Sequence, residues 1–485
     1  MYQTIIYKYT FSENIKETYR NVLSKLNETG SLFIFFENEY NSDGFIKNSI
    51  FDVISLFINL NFNYVNTIVY PIKSTHFINN VRNNIRYIIW FTHNIDTVYF
   101  DKDKIREKHI WKDIEWGKRK KNYNPKGKDP GNVWIPTLDN GKGVILEHII
   151  LSTEEIINRC IISTSKNDSN IFIKISNIDK SKILNKNNIT FEKDSPSFNK
   201  KDNFFNHSKS DFKKNIKISS NIYFKSSENM YDIKNNTIDL MITSPPYWNL
   251  KNYFKKGQIG HENYNKYLER INNVWQETFR VLKNNGSMWI NVNTRKIKKK
   301  PILIPQDIIN QCKKIGFLLK DIIIWHKSSG IPVSKKNIVD RHEYLLWFTK
   351  TNNFKINNIN FNDYKNLHFS IGQTWNINRK AGSVGKDFIH PAIYPNKLTK
   401  RIIQLCSNEG DTVLDPFLGS GTTIISALNN NRNSIGYEYA EIFYNLIKYR
   451  IKKEVNNKKK VVKYNGTSLK IDQKIFRKSN NNQPE

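Results

Sequence analysis

The stretch DTVLDPFLGSGTTIISALNNNRNSIGYEYAEIF, residues 411–443, decides how this chain is read. Thr412 to Leu414 is a short apolar, β-branched run that ends in Asp415. A loop with Gly419 and Gly421 follows, and a helical pattern opens at Thr422. A second run, Ser434 to Tyr437, ends in Glu438, 23 residues after Asp415. Strand, glycine loop, helix and strand make a βαβ unit of a parallel sheet. The glycines let backbone approach a ligand closely, and the helix N-terminus presents unpaired N–H groups to an anionic group. An acid at the end of the second strand suits ribose hydroxyls. Without Gly-Lys-Ser/Thr the loop is not a phosphate P-loop, and GSGTT lacks the third glycine of a plain dinucleotide fingerprint. The plainer alternative is a structural turn.

A second segment with chemical content lies upstream, IDLMITSPPYWNLKNY at 238–253. The apolar strand Ile238 to Ile242 runs into Ser244-Pro245-Pro246-Tyr247. Two consecutive prolines remove two backbone donors and leave their carbonyls free to accept. Tyr247 adds an aromatic face. Such a site suits a planar base with an exocyclic amino group: the Ser244 hydroxyl and the Pro245 carbonyl take the amino protons, and Tyr247 stacks on the ring. Pro-Pro-Tyr alone would more simply close a strand with a rigid turn.

Further outward, short β-branched runs alternate with helical patterns, as in α/β domains with mostly parallel sheets. Three segments read as irregular: the basic loop 117–129, the polar linker 195–219 and a Lys/Asn-rich tail from about Lys452. Six pairs of segments recur in the same order. They are 13–34 with 265–290, 60–73 with 315–327, 84–93 with 341–350, 132–136 with 373–377, 148–161 with 390–403, and 185–194 with 431–440. This ordering predicts one fold written twice and joined by the linker. The expected boundaries are 1–194, a linker at 195–219, a second copy at 220–452 and a basic tail at 453–485.

The 485 residues exceed one ordinary core and fit two or three domains of roughly 150 residues each. With 38% hydrophobic and 13% aromatic residues, wholesale disorder is excluded. Lys and Arg exceed Asp and Glu by 76 to 44, a net charge of +32 that favours a polyanionic partner such as nucleic acid. Part of that surplus belongs to a chain generally rich in Asn, Lys and Ile. Cys160, Cys312 and Cys406 lie far apart, with no metal or disulfide spacing. The N-terminus has no basic region leading into an apolar run. The most apolar stretch, Ile50 to Leu60, is broken by Asp52 and Asn59 and falls short of the roughly 18 residues of a membrane helix. A soluble, cytoplasmic protein of a prokaryote is expected.

Taken together, three segments resemble the amino-methyltransferases of DNA, specifically their permuted beta class, because the catalytic motif precedes the cofactor loop. They are Thr243-Ser244-Pro245-Pro246-Tyr247, Asp415-Pro416-Phe417-Leu418-Gly419-Ser420-Gly421-Thr422-Thr423, and His390-Pro391-Ala392-Ile393-Tyr394-Pro395 with Leu398 and Arg401. The resemblance covers about 220 to 453. It implies a Rossmann-like S-adenosylmethionine-dependent fold with a mostly parallel seven-stranded sheet and helices on both faces. The repeats would make that fold present twice, with the first copy incomplete. It implies methyl transfer to an exocyclic base nitrogen of duplex DNA by a restriction–modification methyltransferase, with any cognate endonuclease acting separately. The serine heading the motif leans toward N4 of cytosine; an aspartate would lean toward the alternative, N6 of adenine. An alternative from another class is a non-catalytic DNA-binding subunit. The resemblance makes Ser244, Pro245, Pro246 and Tyr247 catalytic, and assigns the cofactor to Asp415, Pro416, Phe417, Gly419, Ser420, Gly421, Thr422, Glu438, His390 and Pro391, with no metal. One departure stands out: Lys225-Ser226-Ser227 follows the strand at 222–224 where the family often has Gly-Asp, leaving Glu228 as the candidate substitute.

The repeats also predict what the first copy lacks. Aligning Arg20 with Arg280 puts the counterpart of Pro246 before Met1, so the catalytic motif has no room there. Aligning Trp134 with Trp375 sets KISNIDK (174–180) against DPFLGSG, with Lys174 facing Asp415 and no glycine; Glu192 faces Glu438. The first copy is therefore expected to serve as a built-in pseudo-partner in a monomeric chain. In that role Lys118, Arg119, Lys120 and Lys121 would contact phosphates; the alternative is a solvated charged loop.

Overall fold

The computed structural model describes residues 1–107, 124–135, 137–139, 146–192, 218–250, 255–327, 337–357, 359, 372–379, 383–384, 388–389, 393–456 and 461–465. Two large sheets organise them. The first contains β1 (Tyr2–Lys8), β2 (Leu26–Phe36), β3 (Asn63–Pro71), β4 (Ile85–Thr92), β5 (Asn170–Lys174) and β6 (Asn188–Glu192), in the order β6-β5-β1-β2-β4-β3. The second contains β7 (Ser219–Tyr223), β8 (Ile238–Thr243), β9 (Leu282–Val292), β10 (Leu318–His326), β11 (His342–Thr349), β12 (Thr374–Asn376), β13 (Thr412–Asp415), β14 (Asn433–Tyr437) and β15 (Val461–Asn465). Its order is β12-β10-β11-β9-β8-β13-β14-β7-β15. The run β14-β13-β8-β9-β11-β10 thus repeats the order of the whole first sheet. In each sheet a single strand, β4 or β11, runs antiparallel to its neighbours. Register shifts recur too, at Tyr2/Thr4 and Ile238/Leu240, and at Tyr64/Asn66 and Leu319/Asp321.

The eight helices used below are α1 (Ile15–Asn21), α2 (Ile50–Asn59), α3 (Thr153–Thr164), α4 (Tyr264–Val281), α5 (Ile304–Ile315), α6 (Asn396–Cys406), α7 (Thr422–Asn429) and α8 (Tyr444–Glu454). Their ends follow from local chemistry. Ser152 and Glu155 form a reciprocal capping box on α3, at 2.7 and 3.2 Å. Asn263 caps α4 by accepting from Lys266 N at 3.0 Å. On α4, Tyr267, Ile271, Val274, Trp275, Thr278 and Val281 are buried, the stripe expected at helical spacing. All six residues of β8 are buried, because both sheet faces are covered. Met241 points to the core that holds α4, and Leu240 and Ile242 to the core that holds α6, by the alternation of a strand.

Seven strands were expected in the second sheet, and the described sheet has nine. Short β12 adds to one edge and β15 to the other, pairing in parallel with β7. The residues after 453 are therefore not all tail: α8 ends at Glu454 and 461–465 is a sheet strand. The expected linker lies mostly outside the described residues, and β7 begins inside its predicted end. The first sheet has no described counterpart of β7. Among the described residues no helix is long and apolar enough to cross a membrane.

Strand ladders correct two alignments. Tyr7 pairs with Ile34 as Thr243 pairs with Ile290, so β1 occupies the place of β8. A position for the Ser-Pro-Pro-Tyr segment does exist in the first half, filled by Lys8-Tyr9-Thr10-Phe11. What is shortened is the connector: seven-residue α1 stands where α4 has 18 residues. A constant sequence offset hides such a deletion. Likewise Thr4 pairs with Ile171 as Leu240 pairs with Val413. The counterpart of Asp415 is thus Ile173, with Lys174 one residue on, and Glu192 corresponds to Tyr437 rather than Glu438. Lys174 meets the Tyr7 hydroxyl at 3.1 Å and Glu192 at 3.6 Å.

The halves share one core, in which α2 packs on α5 and Phe51 meets Tyr344 edge-on with centroids 4.9 Å apart. Gln306 on α5 donates to Asp52 on α2 at 2.9 Å. Two parallel bridges cross the junction, Arg82 with Gly372 and Gly131 with Val339. Carried one or two residues upstream, the offsets of the paired segments 84–93/341–350 and 132–136/373–377 set Arg82 against Val339 and Gly131 against Gly372, so each bridge is the other with the halves exchanged.

Candidate active site

The carboxyl ends of β8, β13 and β14 meet at one edge of the second sheet, where open α/β sheets bind ligands. β8 delivers Ser244 to Tyr247, β13 delivers Asp415 and the glycine loop, and β14 delivers Glu438. Thr243, at the end of β8, donates to Asp415 Oδ1 at 2.7 Å. Thr423 and the Tyr394 hydroxyl donate to Oδ2 at 2.6 and 3.0 Å, and Phe417 N to Oδ1 at 3.0 Å. Asp415 is completely buried, and burial raises its pKa against these stabilising donors. The sequence reading gave Asp415 to the cofactor. Its oxygens instead join three segments of the site from within.

The glycine loop is supported in a similar way. Gly419 and Gly421 have φ of 53° and 83°, the left-handed region that glycine enters without steric cost. Gly419 N donates to Glu438 Oε2 at 2.7 Å and Ala440 N to Oε1 at 2.7 Å. Burial pushes the Glu438 carboxyl up to about 7, opposed by those two backbone donors. Arg450 on α8 is fully buried behind the loop. It donates to the Ser420 carbonyl at 2.7 Å, to Ser420 Oγ at 2.8 Å and to Thr422 Oγ1 at 2.9 Å, and pairs with Glu454 at 2.8 Å. The Ser420 and Thr422 side chains are therefore engaged by Arg450. The ring of Phe417 packs edge-on to Trp275 at 6.5 Å, and Pro416 is buried. Gly419 is the half-buried residue of the loop, whereas Gly421 is buried against Ile447 and its N–H donates to the Leu418 carbonyl at 3.0 Å.

Beside them lies the proline segment. Tyr267 donates to the Pro246 carbonyl at 2.8 Å, so of the two carbonyls expected to be free only that of Pro245 has no donor among the described residues. Ser244 Oγ lies 3.4 Å from the Tyr247 hydroxyl. That hydroxyl donates to Glu343 Oε2 at 2.9 Å, and Asn291 Nδ2 donates to both it and Glu343 Oε2, at 3.0 and 2.8 Å. Lys327 pairs with the other Glu343 oxygen at 2.8 Å. The chain leaves the segment through Trp248 and Asn249, two non-glycine residues with φ of 23° and 42°. Such backbone costs of order 1–3 kcal/mol per residue and persists where the surroundings over-determine it. Here Trp248 Nε1 donates to Glu262 O at 2.8 Å, and Arg295 donates to the Trp248 carbonyl.

At the third expected position, Glu228 is held by Arg270 at 3.0 and 2.6 Å, and this pairing contributes to its lowered pKa against burial. His390 and Pro391 lie outside the described residues, as do Lys118, Arg119, Lys120 and Lys121. Leu398 is buried in α6, and the Arg401 guanidinium lies 5.1 Å from the Trp375 ring. Sequence reasoning missed Arg450, Asn291, Glu343 and the role of Tyr394. Tyr394 stood inside a quoted motif; the other three come from a late helix and two strands that carried no local signal.

The chain matches the DNA methylase family (N6_N4_Mtase) over residues 7–172 and 238–449. It is 32% identical to the Type II methyltransferase M.MthZI of Methanothermobacter thermautotrophicus over 290 residues, covering 51% of this chain and 80% of that one. It is 33% identical to the Type II methyltransferase M.BglII of Bacillus subtilis over 252 residues, 47% and 68% of the two chains. Among solved structures, the PvuII DNA methyltransferase (cytosine-N4-specific) aligns at 20% identity and a TM-score of 0.39, over 51% of this chain and 96% of that one. Because the family match spans both halves and most of the chain, this protein belongs to the DNA methylase family.

Proposed function

We propose that the chain transfers a methyl group from S-adenosylmethionine to the N4 amino group of cytosine in duplex DNA, and that the groups touching cofactor and base all belong to the second half. The observation that carries this reading is the placement at one sheet edge of Ser244 and the Pro245 carbonyl, which has no donor among the described residues, with the glycine loop and Glu438. The crevice fits the methyl donor. Gly419 lets backbone approach it closely, and the Glu438 carboxylate keeps acceptor positions beyond the two taken by Gly419 N and Ala440 N. Glu438 would accept from ribose hydroxyls, with the loop amides beside it. When bound, S-adenosylmethionine supplies a methyl group on a sulfonium, electrophilic enough to need no enzyme nucleophile.

The chain's own work is positioning and polarisation. A cytosine rotated out of the duplex places its amino protons against Ser244 Oγ and the Pro245 carbonyl. Both accept, so the nitrogen lone pair is drawn out of conjugation with the ring. Tyr247 offers its face to the base. Serine rather than aspartate at the head of the segment favours cytosine over adenine.

The first half reads as a degenerate copy of the same fold. Repeated strand order, repeated register shifts and the exchanged bridges of the junction support this. Its glycine loop is gone, and Lys174 and Glu192 lie at its strand ends. The copy would take the place of a second subunit, leaving the chain monomeric. DNA contacts by Lys118 to Lys121 remain part of the proposal; replacing all four by Ala should weaken DNA binding and flatten its salt dependence.

The test is methyl incorporation into mixed-sequence DNA by wild type and Tyr247→Ala, with cofactor binding measured in parallel. Wild type should label DNA, and the variant should bind cofactor yet lose at least about 10²-fold in rate. Equal labelling by both would overturn the assigned site.

A further inference from the structure

Tyr247 is held by its far end. Its hydroxyl donates to Glu343 Oε2 at 2.9 Å and accepts from Asn291 Nδ2 at 3.0 Å, while Lys327 holds Glu343 Oε1 at 2.8 Å. Side chains of Lys327 and Glu343 are 15% and 18% exposed, so the carboxylate is largely removed from water and its hydrogen bonds are strengthened. Glu343 is the second residue of β11, a strand buried along most of its length. Just before β11, the first half grips the chain. Arg341 N donates to Asn132 Oδ1 at 2.7 Å, and the Arg341 guanidinium donates to the Asp129 carbonyl at 2.7 Å. Neither the Glu343–Tyr247 bond nor this clamp belongs to the three motifs of the second half.

We propose that Glu343 is a positioning residue for methyl transfer, fixing the Tyr247 ring through its hydroxyl, with Asn291 as the second arm. The inference rests on the reading of residues 244–247 as the catalytic segment. An aromatic ring that stacks on a base must present its face at one angle, and two side-chain torsions otherwise leave that angle free. A charge-assisted bond at the hydroxyl removes the freedom before the base arrives. Ser244 Oγ, 3.4 Å from the same hydroxyl, is oriented by the same anchor. Through Arg341 the first half supports the base of this anchor, which gives a half without a glycine loop a part in the reaction.

The experiment compares Glu343→Ala, Glu343→Gln, Tyr247→Phe and the double variant Tyr247→Phe/Glu343→Ala. It measures kcat for DNA methylation and KM for S-adenosylmethionine in each. Glu343→Ala should lower kcat about 10²-fold, the cost of a catalytic group misplaced by about an ångström. Glu343→Gln keeps an acceptor for Tyr247 but not the charge for Lys327, and should lower kcat only about tenfold. The cofactor KM should stay within about twofold, because no cofactor contact changes. If Glu343 acts through the hydroxyl, the double variant is no slower than the slower single variant. Full kcat in Glu343→Ala, or losses that multiply in the double variant, would overturn the proposal. Should Glu343→Ala fail to fold, Glu343→Gln with and without Tyr247→Phe makes the same comparison. A wild-type enzyme that transfers no methyl group to DNA would instead sink the catalytic reading itself.

Discussion

Thr243 Oγ1 donates to Asp415 Oδ1 across 2.7 Å, and this bond ties the strand that presents Ser244 to the strand that presents the glycine loop. Asp415 has no exposed surface and accepts three further hydrogen bonds, from Thr423, Tyr394 and Phe417 N. It acts as a rivet between donor loop and acceptor loop. Thr243→Val keeps the shape and removes one donor, leaving a buried acceptor short of a partner. It should cost about 1–3 kcal/mol, read from denaturant midpoints. Methylation should fall as well, since the two loops lose their common register.

Arg450 is the second rivet. Met in its place fills similar volume but abandons the Ser420 carbonyl and removes the Arg450–Glu454 pair. Breaking a buried pair from one side typically costs about 3–5 kcal/mol. Thermal unfolding of Arg450→Met should show a loss of that order, together with weaker cofactor binding, because the loop behind which Arg450 sits is the proposed cradle.

Glu438 makes cofactor binding depend on pH. Burial raises its carboxyl to about 7, so the ionised form is the disfavoured one in the folded chain. The sign follows: the stability linked to this group is present below the ordinary carboxylate range and is lost as pH rises through about 7. Ribose hydroxyls need an acceptor, which the carboxylate supplies and the acid only half supplies. Affinity should therefore rise between pH 6 and pH 8 by up to about tenfold, the limit set by the change in ionised fraction about a midpoint near 7. Titration calorimetry at the two pH values checks this, and Glu438→Gln should abolish the dependence.

One cofactor should bind per chain. The first half has a comparable sheet edge, but the segment after its β5 has no glycine, and Lys174 and Glu192 pair at the strand ends. A stoichiometry of two would contradict the proposal that the first half is a degenerate copy. The shared core and the reciprocal bridges also predict a single cooperative unfolding transition for both halves.

Much of this was legible in the chain because local chemistry and global fold agree there. The run from Thr412 to Glu438 announced its strand, loop, helix and strand, and each lies where the pattern put it. Most of the paired segments fall on strands that hold the same places in the two sheet orders. Long-range pairing was not legible. Tyr267 reaching Pro246, Arg450 reaching Ser420 and Glu343 reaching Tyr247 join residues 21, 30 and 96 positions apart, and no periodicity encodes such contacts. The misplaced counterpart of the catalytic segment had a similar cause: connectors lengthen and shorten freely, and only the strand ladder preserves register.

The central claim, that residues 244–247 methylate cytosine at N4, is tested most directly by nucleoside analysis of DNA incubated with the purified protein and methyl-labelled S-adenosylmethionine. The account predicts label in N4-methylcytosine. Label confined to N6-methyladenine, or none in DNA from folded, cofactor-binding protein, would contradict it.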